Sequence, residues 1–248
     1  MALHYALRTL LLGPVIVPEG LWLRWHTPHL LTPPGDTAGH SGEGPPLSLL
    51  LAGDSAIAGV GADTWQQTLI GQLLPLLVAT RRVDWRVVAT SGHRSADMLL
   101  ALEALPPLAV DVAVLSVGAN DIIGQTPRRR WEKVRPALIQ TLKTRCGARR
   151  IVVCGLPPIH RCLTLPQPLR RHLGQRALEL TRELEQTAAA DPALAYFDLE
   201  WAGDSQLLAR DGIHPGPPAY AEWARRLLPL VAPPEALPDQ SRFCNSNE

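Results

Sequence analysis

The chain lacks an excess of charge of either sign. Its 24 Lys and Arg residues nearly cancel its 23 Asp and Glu residues, for a formal net charge of +1. A dedicated nucleic-acid binder carries a basic surplus, so no nucleic acid is expected as a partner. Cysteine is scarce: four residues, at 146, 154, 162 and 244, in 248. A chain of that length can bury a real core without a disulfide framework, and these read as free or buried thiols. Cys154 and Cys162, with His160 between them, do not have the spacing of a common zinc site. Long apolar runs are missing too. The stretch 9–17 is apolar, but Pro14, Pro18 and Glu19 interrupt it well short of the roughly 18 unbroken residues of a spanning helix. The H-E-x-x-H cluster of metallohydrolases and the P-loop pattern G-x-x-x-x-G-K-[ST] are both absent, so neither a metal nor a cofactor is expected.

What the chain does have is 46% hydrophobic residues and 24 prolines. That combination excludes a disordered chain and points to a folded core with many breaks. From residue 47 onward, short apolar runs alternate with longer amphipathic ones. The runs at 47–53, 85–90, 111–118, 150–156 and 194–199 are apolar on both faces, as parallel strands covered by helices should be. Helices are expected at 64–80 (capped by Asp63 and kinked at Pro75), 95–105, 127–145, 168–190 and 217–231. Five β–α alternations imply an α/β sandwich around a five-stranded parallel sheet. The expected organisation is an N-terminal arm and Pro/Gly-rich linker (1–46), a main domain (47–232) and a C-terminal tail (233–248). The arm has two readings: a segment packed on the domain, or one that is exported or weakly associated with a membrane, since Trp22, Arg24 and Trp25 suit an interfacial anchor.

Ligands of such sheets bind at the carboxyl ends of the strands. There the first expected strand ends in Gly53-Asp54-Ser55, the second runs into Ser91-Gly92-His93, and the third into Gly118-Ala119-Asn120-Asp121. After the last strand stands Asp211-Gly212-Ile213-His214-Pro215. An acid and an imidazole three apart in a tight turn can bond to each other and leave the second ring nitrogen facing a hydroxyl such as that of Ser55. A Gly amide and an Asn side chain are hydrogen-bond donors for an oxyanion. The G-x-S-x-G elbow is missing at Ser55, where the context is G-D-S-A-I. Each motif alone also has a plain structural explanation as a turn or a cap; the information lies in the set and its order.

That set resembles the SGNH hydrolase superfamily, the GDSL esterases and lipases, over roughly residues 47–230. Small bacterial esterase, lysophospholipase and acyl-thioesterase members look closest. The four residues of the family's name match Ser55, Gly92, Asn120 and His214, and Asp211 falls in its D-x-x-H. The resemblance implies a flavodoxin-like three-layer α/β/α fold with strand order 2-1-3-4-5. It also implies an acyl hydrolase with Ser55, Asp211 and His214 as catalytic residues and an oxyanion hole from Ser55, Gly92 and Asn120. The expected partner is a small-molecule acyl ester or lipid-like substrate.

Flanking residues receive structural roles. Asp54 is expected to organise the Ser55 turn, Asp97 and Asp121 to cap or brace, and His93 to be a solvated loop residue. His4, His26, His29, His40, His160 and His172 are background, and the second G-D-S, at 203–205, is a turn. Gly59 and Gly61 are expected to shape the segment after Ser55. Apolar residues in the loops that would wall the site (Ile122, Ile123, Leu156, Ile159, Leu163 and Leu165) favour acyl chains over sugars.

Overall fold

Strands buried on both faces must send alternate side chains into two separate cores, and the central strands of this protein do so. The structure, a computed structural model, describes residues 2–232; the expected tail from 233 and Cys244 lie outside the described residues. Six strands, β1 (Ala38–Ser41), β2 (Pro46–Gly53), β3 (Arg82–Ala89), β4 (Val112–Ser116), β5 (Arg150–Cys154) and β6 (Leu194–Phe197), form one sheet in the order β1-β3-β2-β4-β5-β6. Leu50, Ala113, Leu115, Ile151 and Val153 point into one core. Leu49, Leu51, Val112, Val114 and Val152 point into the other.

The helices complete three layers. On the first face lie α4 (Ser95–Glu103), α6 (Arg128–Thr144) and α7 (Leu169–Ala189), contributing Met98, Leu138 and Leu180 among others. On the second lie α3 (Leu69–Val78) and α8 (Pro217–Val231), contributing Leu73, Tyr220 and Leu227. Two short helices, α2 (Ser55–Ala58) and α5 (Ala119–Ile123), follow β2 and β4 directly.

The expected strands correspond to β2 through β6, all parallel and in the expected order. The sheet nonetheless has six strands rather than five. Residues 38–41, inside the segment read as a linker, pair antiparallel with β3, from Ala38 opposite Arg86 to Ser41 opposite Val83. This edge strand is four residues long and half-exposed, so it needs no apolar run. A second difference concerns α3. Its cap is Thr68, whose Oγ1 accepts from the Gly71 amide at 3.3 Å, and not Asp63. The segment between is a 3₁₀ turn, Trp65–Gln67, which closes on the Trp65 carbonyl.

The N-terminal arm forms one long helix, α1 (Ala2–His26), with Pro14 and Pro18 inside it, and it packs against α7. No helix among the described residues is long and apolar enough to cross a membrane. At the other end of the chain, the fully buried Tyr220 of α8 donates its hydroxyl to the Val60 carbonyl at 2.7 Å. This bond ties α8 to the segment after Ser55. Tyr220→Phe leaves that buried carbonyl without its donor and should lower stability by about 1–3 kcal/mol in urea unfolding. A loss below roughly 0.5 kcal/mol would show that the bond is dispensable.

Candidate active site

The sheet register brings three strand exits side by side. Gly53 at the end of β2 is level with Ala89 of β3 and Ser116 of β4. Backbone bonds continue this alignment: Asp54 N–H donates to the Ser116 carbonyl at 3.2 Å, and Thr90 N–H to the Gly53 carbonyl at 3.4 Å. Ser55 is the first residue of α2, and the Asp54 side chain caps that turn by accepting from the Ala56 amide at 3.3 Å.

The Asp211–His214 turn arrives from the other end of the chain. Asp211 Oδ1 accepts from the amides of Ile213 and His214, both at 3.0 Å, which folds the turn around its own carboxylate. Asp211 Oδ2 lies 2.5 Å from His214 Nδ1, and His214 Nε2 lies 3.0 Å from Ser55 Oγ. Hydroxyl, imidazole and carboxylate therefore form one hydrogen-bonded line between residues 159 positions apart. Gly61 permits the approach. It has a φ of +102°, and a Cβ there would sit 2.2 Å from the Pro215 carbonyl oxygen.

Gly92 and Asn120 occupy the neighbouring exits. Gly92 has a φ of +85°, the left-handed region that favours glycine, while the space where a Cβ would stand is open. Asn120 Nδ2 donates to the His93 carbonyl at 3.0 Å, which leaves its second amide hydrogen for another acceptor. Beside it, the buried Asp121 Oδ2 accepts from both the amide and the hydroxyl of Ser95, each at 2.8 Å. Two bonds thus fasten α5, which follows β4, to the start of α4, which follows β3. Asp97 accepts from the Arg94 amide at 2.9 Å and closes the start of α4.

Burial sets the electrostatics. It pushes the Asp54 carboxyl up to about 6, against the opposing pull of the Ala56 and Gly118 amides and the His214 charge. Burial also acts to raise Asp211, but the His214 ring and the two turn amides outweigh it and hold this carboxyl below its ordinary value. Asp211 thus stays ionised as a partner for an imidazolium. Arg135, fully inside the protein, donates to the Val117 carbonyl at 3.3 Å and is lowered by burial to about 10.

The structure brings Ser55, His214 and Asp211 into contact and sets Gly92 and Asn120 on the adjoining loops, with no bond from either to Ser55. The Asn120–His93, Asp121–Ser95 and Arg135–Val117 bonds could not be read from the sequence. Their partners lie 18 to 27 residues apart with no periodic pattern. Asp204 of the second G-D-S caps a short turn through the Gln206 amide. His160 does have an acidic neighbour, Glu200 at 3.2 Å, but it is supplied by another loop. Cys146, Cys154 and Cys162 are free, and among the described residues no cluster could hold a metal ion. Of the six apolar loop residues expected to wall the site, Ile122, Leu156, Ile159 and Leu165 are core residues; only Ile123 and Leu163 are largely exposed.

A three-layer sandwich with this strand order and polar residues at its strand exits is the SGNH hydrolase fold. Residues 51–222 match the GDSL-like Lipase/Acylhydrolase family, and the chain belongs to it. The protein is therefore a hydrolase of the esterase and lipase type. Solved structures agree in fold. A lipolytic G-D-S-L family protein from Veillonella parvula DSM 2008 is 15% identical with a TM-score of 0.59; the match covers 75% of this chain and 99% of that one. The psychrotrophic esterase EstA from Pseudoalteromonas sp. is 19% identical with a TM-score of 0.53, over 73% and 93% of the two chains. TesA is 28% identical with a TM-score of 0.53, over 75% and 98%. No curated protein sequence gives a significant match.

The raised Asp54 carboxyl has a consequence for stability. The folded state keeps this proton between about pH 4 and pH 6, where the unfolded chain has lost it, so stability falls as pH rises through that window. The effect amounts to at most roughly 3 kcal/mol by pH 7. Asp54→Asn keeps an acceptor for the Ala56 amide but cannot ionise. Its melting temperature relative to the native protein should rise progressively from pH 4 to pH 7. A difference independent of pH would show that Asp54 does not titrate in that window.

Proposed function

We propose that the protein hydrolyses carboxylic esters of acyl or lipid-like substrates through an acyl-enzyme on Ser55. The observation that carries this reading is the line from Ser55 Oγ through His214 to Asp211, with contacts of 3.0 and 2.5 Å. Ser55 Oγ attacks the acyl carbonyl carbon while His214 Nε2 takes the hydroxyl proton. Asp211 holds the ring by its Nδ1–H and stabilises the imidazolium. The carbonyl oxygen becomes an oxyanion, met by the backbone amides of Ser55 and Gly92 and the free amide hydrogen of Asn120. Collapse expels the alcohol, which receives its proton from His214. Water then attacks the acyl-enzyme with His214 as base, releasing the acid and restoring Ser55.

The ordering of the donor loops supports the same reading. Preorganised donors stabilise developing charge without reorganising during the reaction, and the Asp121–Ser95 and Asn120–His93 bonds supply that rigidity. The acyl preference over sugars rests on the exposed Ile123 and Leu163, since the other apolar loop residues face the core.

A serine-directed fluorophosphonate should label the native chain and fail to label Ser55→Ala. A folded native chain that takes no label would mean a binding domain without this chemistry. Asn120→Ala should reduce kcat by about 10²–10³ with a smaller effect on KM. Unchanged turnover would remove Asn120 from the oxyanion hole. A p-nitrophenyl ester series from acetyl to palmitoyl, with an acyl-CoA and a lysophospholipid in parallel, should show preference for an acyl chain. Activity confined to acetylated sugars would overturn the substrate assignment.

A further inference from the structure

Helix α1 turns Ile16, Leu12 and Leu23 toward the core, yet leaves most of its apolar side chains outside. Its inner face, against α7, also carries polar groups: Arg8 donates to the His172 carbonyl at 3.4 Å, Thr9 Oγ1 lies 3.2 Å from His172 Nε2, and Glu19 accepts from the Leu169 amide at 2.9 Å. Its outer face carries Leu7, Leu10, Leu11, Val15, Val17 and Leu21 at helical spacing, with Leu10 and Leu11 more than 70% exposed. The stripe ends in the exposed Trp22 and Trp25, with Arg24 between them. A contiguous apolar stripe of this length marks an interaction surface rather than ordinary scattered exposure.

We propose that this face of α1 docks the protein on an anionic lipid surface, lying in the plane of the interface. Three features select that occupant. Aliphatic side chains ending in a pair of exposed tryptophans, with the exposed Arg24 on the flank of the stripe, suit the boundary between acyl chains and headgroups. The outer face carries no acid, because Glu19 is turned inward and engaged with Leu169. Beside the stripe, an open cavity of about 790 Å³ between α1 and α7 is bordered by Arg8 and Arg182 against a single acid, Glu179. A second copy of the chain fits less well. From Leu7 to Trp25 the stripe is about 28 Å long, and at about 10 Å wide it offers roughly a third of the 800 Å² per partner of a standard interface. Spanning is excluded by the inward Arg8 and Glu19 and by the helix's hydropathy.

The docked face also lies near the chemistry. A cavity of about 340 Å³ separates Trp22, His26 and Pro28 at the end of α1 from Asp211 and Gly212. The docking itself rests on the α1 face and not on the reaction assigned to Ser55.

The test is co-sedimentation of the full chain carrying Ser55→Ala, which leaves vesicle lipids intact whatever the reaction. It should bind phosphatidylcholine vesicles containing about 30% phosphatidylglycerol more strongly than vesicles of phosphatidylcholine alone. Adding Leu10→Gln, Leu11→Gln and Val15→Gln should weaken partitioning by about tenfold or more while the melting temperature holds. If that variant is unstable, Trp22→Ala with Trp25→Ala decides the matter in the same assay. Failure to sediment with either vesicle would overturn the proposal, as would partitioning untouched by the variants. Sedimentation equilibrium would overturn it in favour of a second copy by showing a dimer that these substitutions abolish.

Discussion

The contact between Ser55 Oγ and His214 Nε2 is one hydrogen bond, but most of the fold is arranged so that it can form. A single such bond contributes about 1 kcal/mol net. Burying one Leu contributes about 1.5–3 kcal/mol. The geometry is therefore imposed by packing and not by the bond. β2 occupies the middle of the sheet, so Ser55 emerges between the exits of β3 and β4. α3 and α8 share a core on one face of that sheet, and Tyr220 fastens α8 to Val60. Gly61 lets the turn before α8 come within contact of the segment after Ser55. Each of these steps narrows where His214 can stand relative to Ser55.

Three buried carboxyls sit at this end of the sheet, and their surroundings separate them. Asp211 receives two amides and an imidazole, which overcome burial and keep it charged. Asp121 is spent on the amide and hydroxyl of Ser95 and serves as a brace between two loops. Asp54 has backbone amides but no imidazole bond, and burial dominates it. The helix-capping role explains why a side-chain acceptor stands next to Ser55, because it takes the Ala56 amide at the start of α2.

The sequence exposed this machinery unevenly, for physical reasons. Parallel strands must be apolar on both faces, so β2, β4 and β5 stand out as runs of Leu, Val, Ala and Ile. The four blocks at the strand exits were equally visible, because turns restrict residue type and the chain order preserves them. β1 was hidden, since an antiparallel edge strand of Ala-Gly-His-Ser needs neither apolar residues nor length. Thr68 was passed over as the cap of α3 because Asp63 is as good a cap by type, and only the 3₁₀ turn between them decides. The wall of the site was misjudged for a related reason. Ile122, Leu156, Ile159 and Leu165 are apolar residues of loops, but loops on a small sandwich also plug its core.

Helix α1 shows where residue type alone gives out altogether. Its composition is largely apolar, which reads either as an arm packed on the domain or as a segment exported or associated with a membrane. What resolves it is which residues the domain claims. The first core takes only Ile16 from α1 as a fully buried member, with Leu12 and Leu23 at its margin. The rest of that core comes from the sheet, from α4, α5, α6 and α7, and from the segment after β5. The helix is therefore an added layer, held to α7 through Arg8, Thr9 and Glu19 and to the first core through Ile16, Leu12 and Leu23, while its other apolar side chains stay outside the interior. Packing on the described domain leaves most of this outer face exposed. The row of Leu and Val ending in Trp22 and Trp25 stays largely exposed among the described residues, and the proposed docking on a lipid surface rests on that exposure.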